Sequence, residues 1–131
     1  MNEIIIPVFI TRKFIQEHRD YIFLFGHDVQ GKGCFGQSWE SFGEPNSFPI
    51  PTCWKMCRNS MYFSDTQYDE VKKLIDEAIS RIPKEKSPII PFPKIGMGHS
   101  RMMEFSPKTF SYMRKEIDEI KYLNIKINYY A

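Results

Sequence analysis

The sequence predicts an α/β fold in which strands alternate with helices. Short apolar stretches at residues 21–25 and 88–92 are typical of buried strands, and glycine-containing segments follow both. Residues 64–82 lie between them and repeat apolar side chains every three or four positions, as an amphipathic helix does. These observations predict a three-layer α/β sandwich with a mixed central sheet, formed by one domain over residues 1–131.

The amino-acid composition disfavours several kinds of partner and binding site. The chain has 131 residues, 42% of them hydrophobic, and a formal net charge of +2, which is too small to favour a nucleic-acid or membrane partner. It has no run of eighteen apolar residues and no signal-like start, so we expect a soluble, cytoplasmic protein. Its three cysteines lack paired CxxC spacing, and its three histidines are scattered. We therefore expect free thiols, no bound metal and no cofactor.

Proline and capping residues delimit the remaining elements. Pro7 makes the first strand an edge or kinked strand, and Thr11 caps a short helix. The prolines of SFPIPT, residues 47–52, favour a strand end or loop over a central ladder position. We expect the first strand at residues 3–10, helices at 12–18 and 37–42, an ordered loop at 53–63 ending in a strand at 61–63, a helix from Ser106-Pro107 and a last strand at 124–130.

The first glycine-rich segment organises the expected site. The strand at residues 21–25 is predicted to end at Gly26, and Gly31, Gly33 and Gly36 follow. Such a loop exposes consecutive backbone N–H groups, which suit phosphates. A plain hairpin or tight turn is the alternative. The loop at residues 93–100 would lie beside it, because open α/β sheets hold ligands at the carboxyl ends of their strands.

Four stretches of the sequence resemble macro domains. They read FGHD at residues 25–28, GKG with Gly36-Gln37, GEPN leading into IPT at 43–52, and IGMG at 95–98. They are similar to FGDN, GxGGQ, EPNAxGIPTK and GIGxG in small macro-like proteins of bacteria and their viruses. More loosely, they resemble antitoxin macro domains that remove ADP-ribose from DNA. The resemblance spans about residues 11 to 120 and implies a macro-domain-like fold.

The resemblance implies an ADP-ribose-type nucleotide as partner, with nucleic acid a partner only if it carries ADP-ribose. Some macro domains also hydrolyse ADP-ribosyl linkages or ADP-ribose phosphate. The implied ligand-binding residues are Gly26, His27, Gly31, Lys32, Gly33, Gly36, Gln37, Thr52, Gly96, Met97 and Gly98, with Ser38 flanking the first loop. His27 and Asp28 stand where the family prefers Asp-Asn, and Cys53 stands where a Lys is usual.

Hydrolysis would need an acid or base near the distal ribose, and Asp28 and His99 are the candidate catalytic residues. The alternative role for Asp28 is to cap a turn with its carboxylate. The alternative for His99 is to be an exposed loop residue with no catalytic role. Cys53 is expected to be a buried thiol rather than a nucleophile. Some aromatic side chains between the loops could stack on adenine, although most are expected in the core: Trp39, Phe42, Phe48, Trp54, Tyr62 and Phe63.

Three functions remain open from the sequence. The first is a nucleotide-binding macro-like domain with possible hydrolase activity. The second is a binder without turnover, such as a nucleotide sensor or a viral sponge for an NAD-derived immune signal, which the altered Lys and Asp-Asn positions favour. The third is an α/β protein that keeps only the scaffold.

Overall fold

The computed structural model describes residues 2–31, 36–56, 59–84, 87–120 and 125–131. Strands and helices alternate along most of this part of the chain, as expected. The elements are β1 (Asn2–Pro7), α1 (Arg12–Glu17), β2 (Ile22–Asp28), α2 (Gly36–Ser41), β3 (Ser47–Lys55), β4 (Met61–Tyr62), a 3-10 turn (Asp65–Gln67), α3 (Tyr68–Ser80), β5 (Ile89–Pro91), α4 (Met102–Phe105), α5 (Pro107–Ile120) and β6 (Ile125–Tyr130).

The strands within the described residues form a four-stranded sheet in the order β4-β3-β2-β5 and a two-stranded sheet of β1 and β6. β2 pairs in parallel with both β3 and β5, β1 pairs in parallel with β6, and β3 pairs antiparallel with β4. The Tyr129 hydroxyl of β6 donates to the carbonyl of Pro91 in β5, which ties the two sheets together. The expected mixed α/β architecture is therefore confirmed.

The helices begin where capping residues predict. The Thr11 hydroxyl accepts from the Phe14 N–H at 3.1 Å, and Ser64 and Gln67 form a capping box before α3. Asp65 accepts the N–H groups of Lys108 and Thr109, both at 3.0 Å, in the first turn of α5. This long-range contact fixes α5 beside α3, which packs on β3.

The core is apolar and lies mainly between the four-stranded sheet and these helices. Its fully buried members include large side chains from β2, such as Phe23 and Phe25, together with Ile75 of α3 and Met113 of α5. β2 is buried along nearly its whole length, in agreement with the expectation of a central strand. No helix in the described ranges is long and apolar enough to cross a membrane.

The structure corrects three expectations about the elements. β2 does not end at Gly26 but continues to Asp28, so Gly26, His27 and Asp28 are strand residues that pair with β3. β3 continues to Lys55, so residues 53–55, which were expected in a loop, are strand residues that pair with β4. Its proline-containing part, residues 47–52, pairs with β2 alone within the described residues, so the prolines avoid a central ladder position as expected. The one-turn helix α4 was not expected, since four residues are too few to show a helical period.

Candidate functional site

A cavity of about 370 Å³ opens where the parallel strands end. Its walls come from the carboxyl ends of β2 and β3, the start of α2, and the segments that follow β1 and β5. This is the edge at which open α/β sheets hold ligands. Its volume falls within the range of small-molecule sites, about 300–1,000 Å³.

Both predicted glycine segments reach this one cavity. Nine of the predicted ligand-binding and catalytic residues line it: Gly26, His27, Asp28, Gly36, Gln37, Thr52, Gly96, Gly98 and His99. Ser38, expected to flank the first loop, lines it too. Met97 is exposed and does not line the cavity, and Gly31 lies beside the His27 ring without lining it. Lys32 and Gly33 lie outside the described residues. The ligand-binding and catalytic roles of all these residues stay predictions.

A polar group formed by His27, Asp28 and Ser38 lies in the cavity wall. The His27 Nδ1 atom and the Ser38 hydroxyl are hydrogen-bonded, and His27 Nε2 lies 3.8 Å from Asp28 Oδ1. The side chains of His27 and Asp28 are only 5% and 1% exposed. Among the residues that the structure describes, His27 Nε2 makes no hydrogen bond. A buried polar atom of this kind is a position where a ligand or water is expected to bind.

The environment of His27 determines where its proton lies. Burial lowers the pKa of His27 below its ordinary value, while the backbone of Gly31 and the charge of Asp28 oppose that shift. The ring is therefore neutral near pH 7. Because the Asp28 oxygen lies on the Nε2 side, the proton is favoured on Nε2, which leaves Nδ1 to accept from the Ser38 hydroxyl.

Two glycines shape the cavity through close packing. A Cβ atom on Gly26 would lie 3.0 Å from Thr52 Cγ2, so any other residue would require Thr52 to move by a few tenths of an ångström. Gly96 has φ of +83°, and a Cβ there would lie 2.9 Å from Met113 Cε. Glycine at these positions is thus explained by packing, whereas a Cβ on Gly98 would meet nothing within 4 Å.

The loop after β5 presents backbone donors. Its internal hydrogen bonds use the N–H groups of Ile95, Met97 and Arg101. Across the described ranges, the N–H groups of Gly96, Gly98 and Ser100 take part in no hydrogen bond. Lys94 is exposed and lines the same cavity. The loop therefore offers unpaired N–H groups and a cation at the cavity wall, a combination suited to an anionic ligand.

Gln37 has a structural task that the sequence did not reveal. Its side-chain amide donates to the Ile10 carbonyl at 2.7 Å, and its oxygen accepts the Ile10 N–H at 2.7 Å. The two bonds fix the segment after β1 against α2. The amide is thus held in place at both ends, and the predicted ligand contact of Gln37 stays a prediction.

Cys53 lines the cavity as a buried thiol. Burial and the nearby charge of Asp28 raise its pKa to about 12, although a hydrogen bond with Thr52 opposes the shift. The thiol stays protonated at neutral pH and is a poor nucleophile, as the sequence suggested. The described part of the chain contains no group of three or more His, Cys, Asp or Glu side chains that could hold a metal ion.

The structure also identifies lining residues that sequence reasoning missed. Val8 and Phe9 follow β1 and line the cavity although they are 36% and 52% exposed. None of the six aromatic residues proposed for adenine stacking lines it, but Phe42 stacks on the His27 ring at 5.1 Å. The available signal was position: an aromatic residue directly after a parallel strand lies at the ligand-binding edge.

Comparison with known proteins places the chain in a family. A family model described as a family of unknown function (DUF7831) matches residues 5–116, which include β2 to β5, the end of β1 and all residues lining the cavity. The chain belongs to this family. No significant match was found among curated proteins or among solved structures.

Proposed function

We propose that the cavity binds ADP-ribose or a related NAD-derived nucleotide. The observation that carries this proposal is the meeting of the two glycine segments, Gly26 to Asp28 and Gly96 to Ser100, in one open cavity at the carboxyl ends of β2 and β5. The resemblance to macro domains requires both to contact one ligand. A three-layer, macro-like arrangement is part of the same proposal, supported by the mixed sheet and the position of the cavity.

The loop after β5 is the proposed diphosphate site. Its N–H groups at Gly96, Gly98 and Ser100 are unpaired within the described residues, and Lys94 adds a positive charge. Hydrogen bonds to a charged group contribute about 1.5–3 kcal/mol each, so two or three such donors supply substantial binding free energy. The buried Asp28 would repel a phosphate, which places it nearer to a ribose hydroxyl than to the diphosphate.

Phe9 is the proposed support for the adenine. Its ring lines the cavity and is 52% exposed, so one face is open to a flat base. Truncating an aromatic side chain that stacks on a base weakens binding by about 1–3 kcal/mol. The hydrogen bonds between Gln37 and the Ile10 backbone hold this segment in place, so the platform is preformed.

Binding without turnover, as in a sensor or sponge, is the second candidate function. It is favoured by Cys53, which stands at the position of the usual Lys and whose thiol remains protonated. Hydrolysis of an ADP-ribosyl linkage would depend on Asp28 and His99. These line the same cavity, with Asp28 buried and His99 exposed.

Calorimetric titration with ADP-ribose, combined with chromatography of a separate incubation with a substrate that carries an ADP-ribosyl or phosphate linkage, distinguishes these functions. Heat with a new product indicates an enzyme, and heat without product indicates a binder. Absence of heat contradicts the nucleotide proposal and favours an α/β protein that keeps only the scaffold. The chromatography needs an ADP-ribosylated protein or ADP-ribose phosphate as a second sample, since free ADP-ribose has no linkage to lose.

Two variants with matched controls test the geometry. Phe9→Ala should weaken binding at least about fivefold through lost stacking, whereas Trp39→Ala, an exposed aromatic outside the cavity lining, should not. Lys94→Ala should weaken binding and reduce its salt dependence, while Lys73→Ala on the exposed side of α3 should do neither. Equal effects within either pair would contradict the assigned site.

A further inference from the structure

The hydrogen bond between Ser38 and His27 suggests a chemistry that nucleotide binding does not use. We propose that Ser38 is a nucleophile activated by His27, and that the cavity accepts a small carboxylic ester whose carbonyl carbon the serine attacks. Ser38 lines the cavity, His27 Nδ1 accepts the hydrogen bond of its hydroxyl, and Asp28 Oδ1 lies 3.8 Å from Nε2 on the other side of the ring. Nucleophile, base and carboxylate thus follow one another in space.

Packing holds the imidazole in the position that this role needs. Phe42 stacks on the ring at 5.1 Å with an interplanar angle of 21°. Phe25 meets it edge-on at 5.4 Å and 73°. The His27 residue is 6% exposed, and its Nε2 atom makes no hydrogen bond within the described ranges. A ring clamped between two aromatic side chains cannot rotate away from Ser38 without unpacking the cavity wall.

The reaction follows the usual acyl-transfer sequence. The Ser38 oxygen forms a bond to the carbonyl carbon of the ester while His27 Nδ1 takes the hydroxyl proton. The carbon–oxygen bond to the alcohol then breaks, and His27 returns the proton to the departing alcohol. Water repeats the two steps on the acylated serine, so that the products are one carboxylic acid, one alcohol and the free enzyme. Asp28 stabilises the imidazolium that forms in each half.

The remaining walls fit an ester better than a charged acyl donor. Val8, Phe9, Phe92 and Ile95 present apolar surface to the cavity, which suits an uncharged acyl chain. Gly98 belongs to the same wall, and its N–H takes part in no hydrogen bond among the described residues. It is therefore a candidate donor to the carbonyl oxygen during attack. Two unpaired N–H groups, those of Gly96 and Ser100, lie beside it.

Labelling of the full-length chain with an alkyl fluorophosphonate tests the nucleophile directly. Attack by Ser38 on phosphorus forms an oxygen–phosphorus bond and expels fluoride, which adds one phosphonyl group to the intact mass. We expect one adduct per chain, located at Ser38 by peptide mass spectrometry. Ser38→Ala should abolish it. Ser41→Ala is the matched control, because Ser41 lies on the same helix, is fully buried and does not line the cavity.

The role of His27 has its own readout. His27→Gln should slow labelling of Ser38 and hydrolysis of p-nitrophenyl acetate by about 10²–10⁴-fold, the range for loss of a general base. Absence of an adduct at Ser38 in the unmodified protein overturns the proposal, whatever the variants do. Labelling that proceeds at the same rate in His27→Gln also overturns it.

Adding ADP-ribose to the labelling reaction separates this inference from the proposed function. Slower labelling in the presence of ADP-ribose supports both, since it places nucleotide and Ser38 in one cavity. Labelling that ADP-ribose does not affect supports the nucleophile and counts against the nucleotide site. Heat on ADP-ribose binding without any adduct at Ser38 supports the nucleotide site and overturns the nucleophile.

Discussion

Buried polar side chains differ in their hydrogen bonding between the two ends of the parallel strands. At the amino end of β3, Glu44 and Asn46 are 9% and 7% exposed and are held by many hydrogen bonds. At the carboxyl end of β2, His27 is 6% exposed and one of its two ring nitrogens makes no hydrogen bond within the described residues. The difference separates a structural cluster from a candidate site.

The amino-end cluster connects α1 to β3. Glu44 accepts from Arg12 Nη1 at 2.5 Å and from Arg19 Nη2 at 2.8 Å, which closes the helix onto the loop before the strand. The side-chain amide of Asn46 donates to the carbonyls of Ile15, His18 and Tyr21 at 2.9–3.1 Å. These carbonyls end α1 and precede β2. Those of Ile15 and His18 also accept the backbone N–H groups of His18 and Tyr21, so the Asn46 amide adds hydrogen bonds to a turn that is already closed.

This contrast gives the GEPN segment a structural explanation. Two of its residues, Glu44 and Asn46, point away from the cavity and hold the scaffold, whereas the residues at the cavity end are the ones available to a ligand. A resemblance can therefore be carried partly by residues that only build the fold. The five predictions below separate these roles.

The largest effect is expected from Asn46→Ala. It removes the donors to three backbone carbonyls and the acceptor for Arg19, and a buried polar group left without a partner costs about 1–3 kcal/mol. We expect a loss of about 3 kcal/mol in the free energy of unfolding, measured by urea denaturation. Asn46→Asp keeps the acceptor for Arg19 but not the donors, so it should lose most of this stability too. A variant as stable as the parent would show that the cluster does not hold α1.

The second effect tests the packing of the cavity end. Gly96→Ala places a Cβ 2.9 Å from both Met113 Cε and Phe110 Cδ1 at φ of +83°. We expect about 2 kcal/mol of lost stability from crowding and backbone strain together. Gly98→Ala, two residues away, meets no atom within 4 Å and should change unfolding by less than about 0.5 kcal/mol. Equal losses in the two variants would contradict the assigned roles of these glycines.

Local patterns predicted most of the elements of this fold. Thr11, Ser64 and Ser106-Pro107 marked helix starts that the structure contains within one to four residues, because capping is set by nearest neighbours. The end of β3 was misjudged: residues 53–55 were expected in a loop, and their strand conformation depends on pairing with β4, which is a tertiary contact. β2 was predicted too short because a glycine weakens a strand and Gly26 was taken as its end. Its close contact with Thr52 of β3, which favours glycine inside the strand, is visible only in the structure.

The site was predictable to the extent that it is built from strand ends. Gly26, Asp28, Gly96 and His99 meet in one cavity because parallel strands end at one edge. Phe9 was not assigned to the site, and Ser38 was expected only to flank the first loop, since their positions depend on how α2 packs against β2 and on the Gln37 contact to Ile10. Such contacts between distant segments leave no periodic signal in the sequence.

Lowering the pH should reduce the stability of the protein first through His27, at the carboxyl end of β2, and at lower pH through Glu44, before β3. Burial lowers the pKa of His27 below its ordinary 6.5, so the unfolded chain takes up a proton that the folded chain resists. Stability from this group is complete above about pH 6.5 and falls as the pH decreases below it. Denaturation of the parent and of His27→Gln between about pH 7.5 and pH 5.5 measures it. In the variant, the free energy of unfolding should no longer change with pH in this range. An unchanged pH dependence would mean that other groups cause it.

Glu44 should respond at lower pH. Burial raises its pKa, but the hydrogen bonds from Arg19, Arg12 and Gln16 outweigh that and hold the pKa below its ordinary 4.5. Its contribution is complete above about pH 4.5 and is lost as the pH falls further. Glu44→Gln should therefore flatten the stability profile below about pH 4.5 and leave the slope near pH 6 in place. Loss of the upper slope in this variant would mean that the two ends are coupled.

The smallest effect compares two serines of α2. The Ser38 hydroxyl is hydrogen-bonded to His27, so Ser38→Ala leaves a buried nitrogen without a partner and should cost about 1 kcal/mol. Ser41 is fully buried, and its hydroxyl makes no hydrogen bond in the part of the chain that the structure describes. Ser41→Ala should raise the free energy of unfolding by about 0.5 kcal/mol, since alanine removes an unsatisfied polar atom and favours helix. Opposite signs three residues apart would show that the cavity end holds Ser38 through His27, whereas a loss in both variants would make the two hydroxyls equivalent.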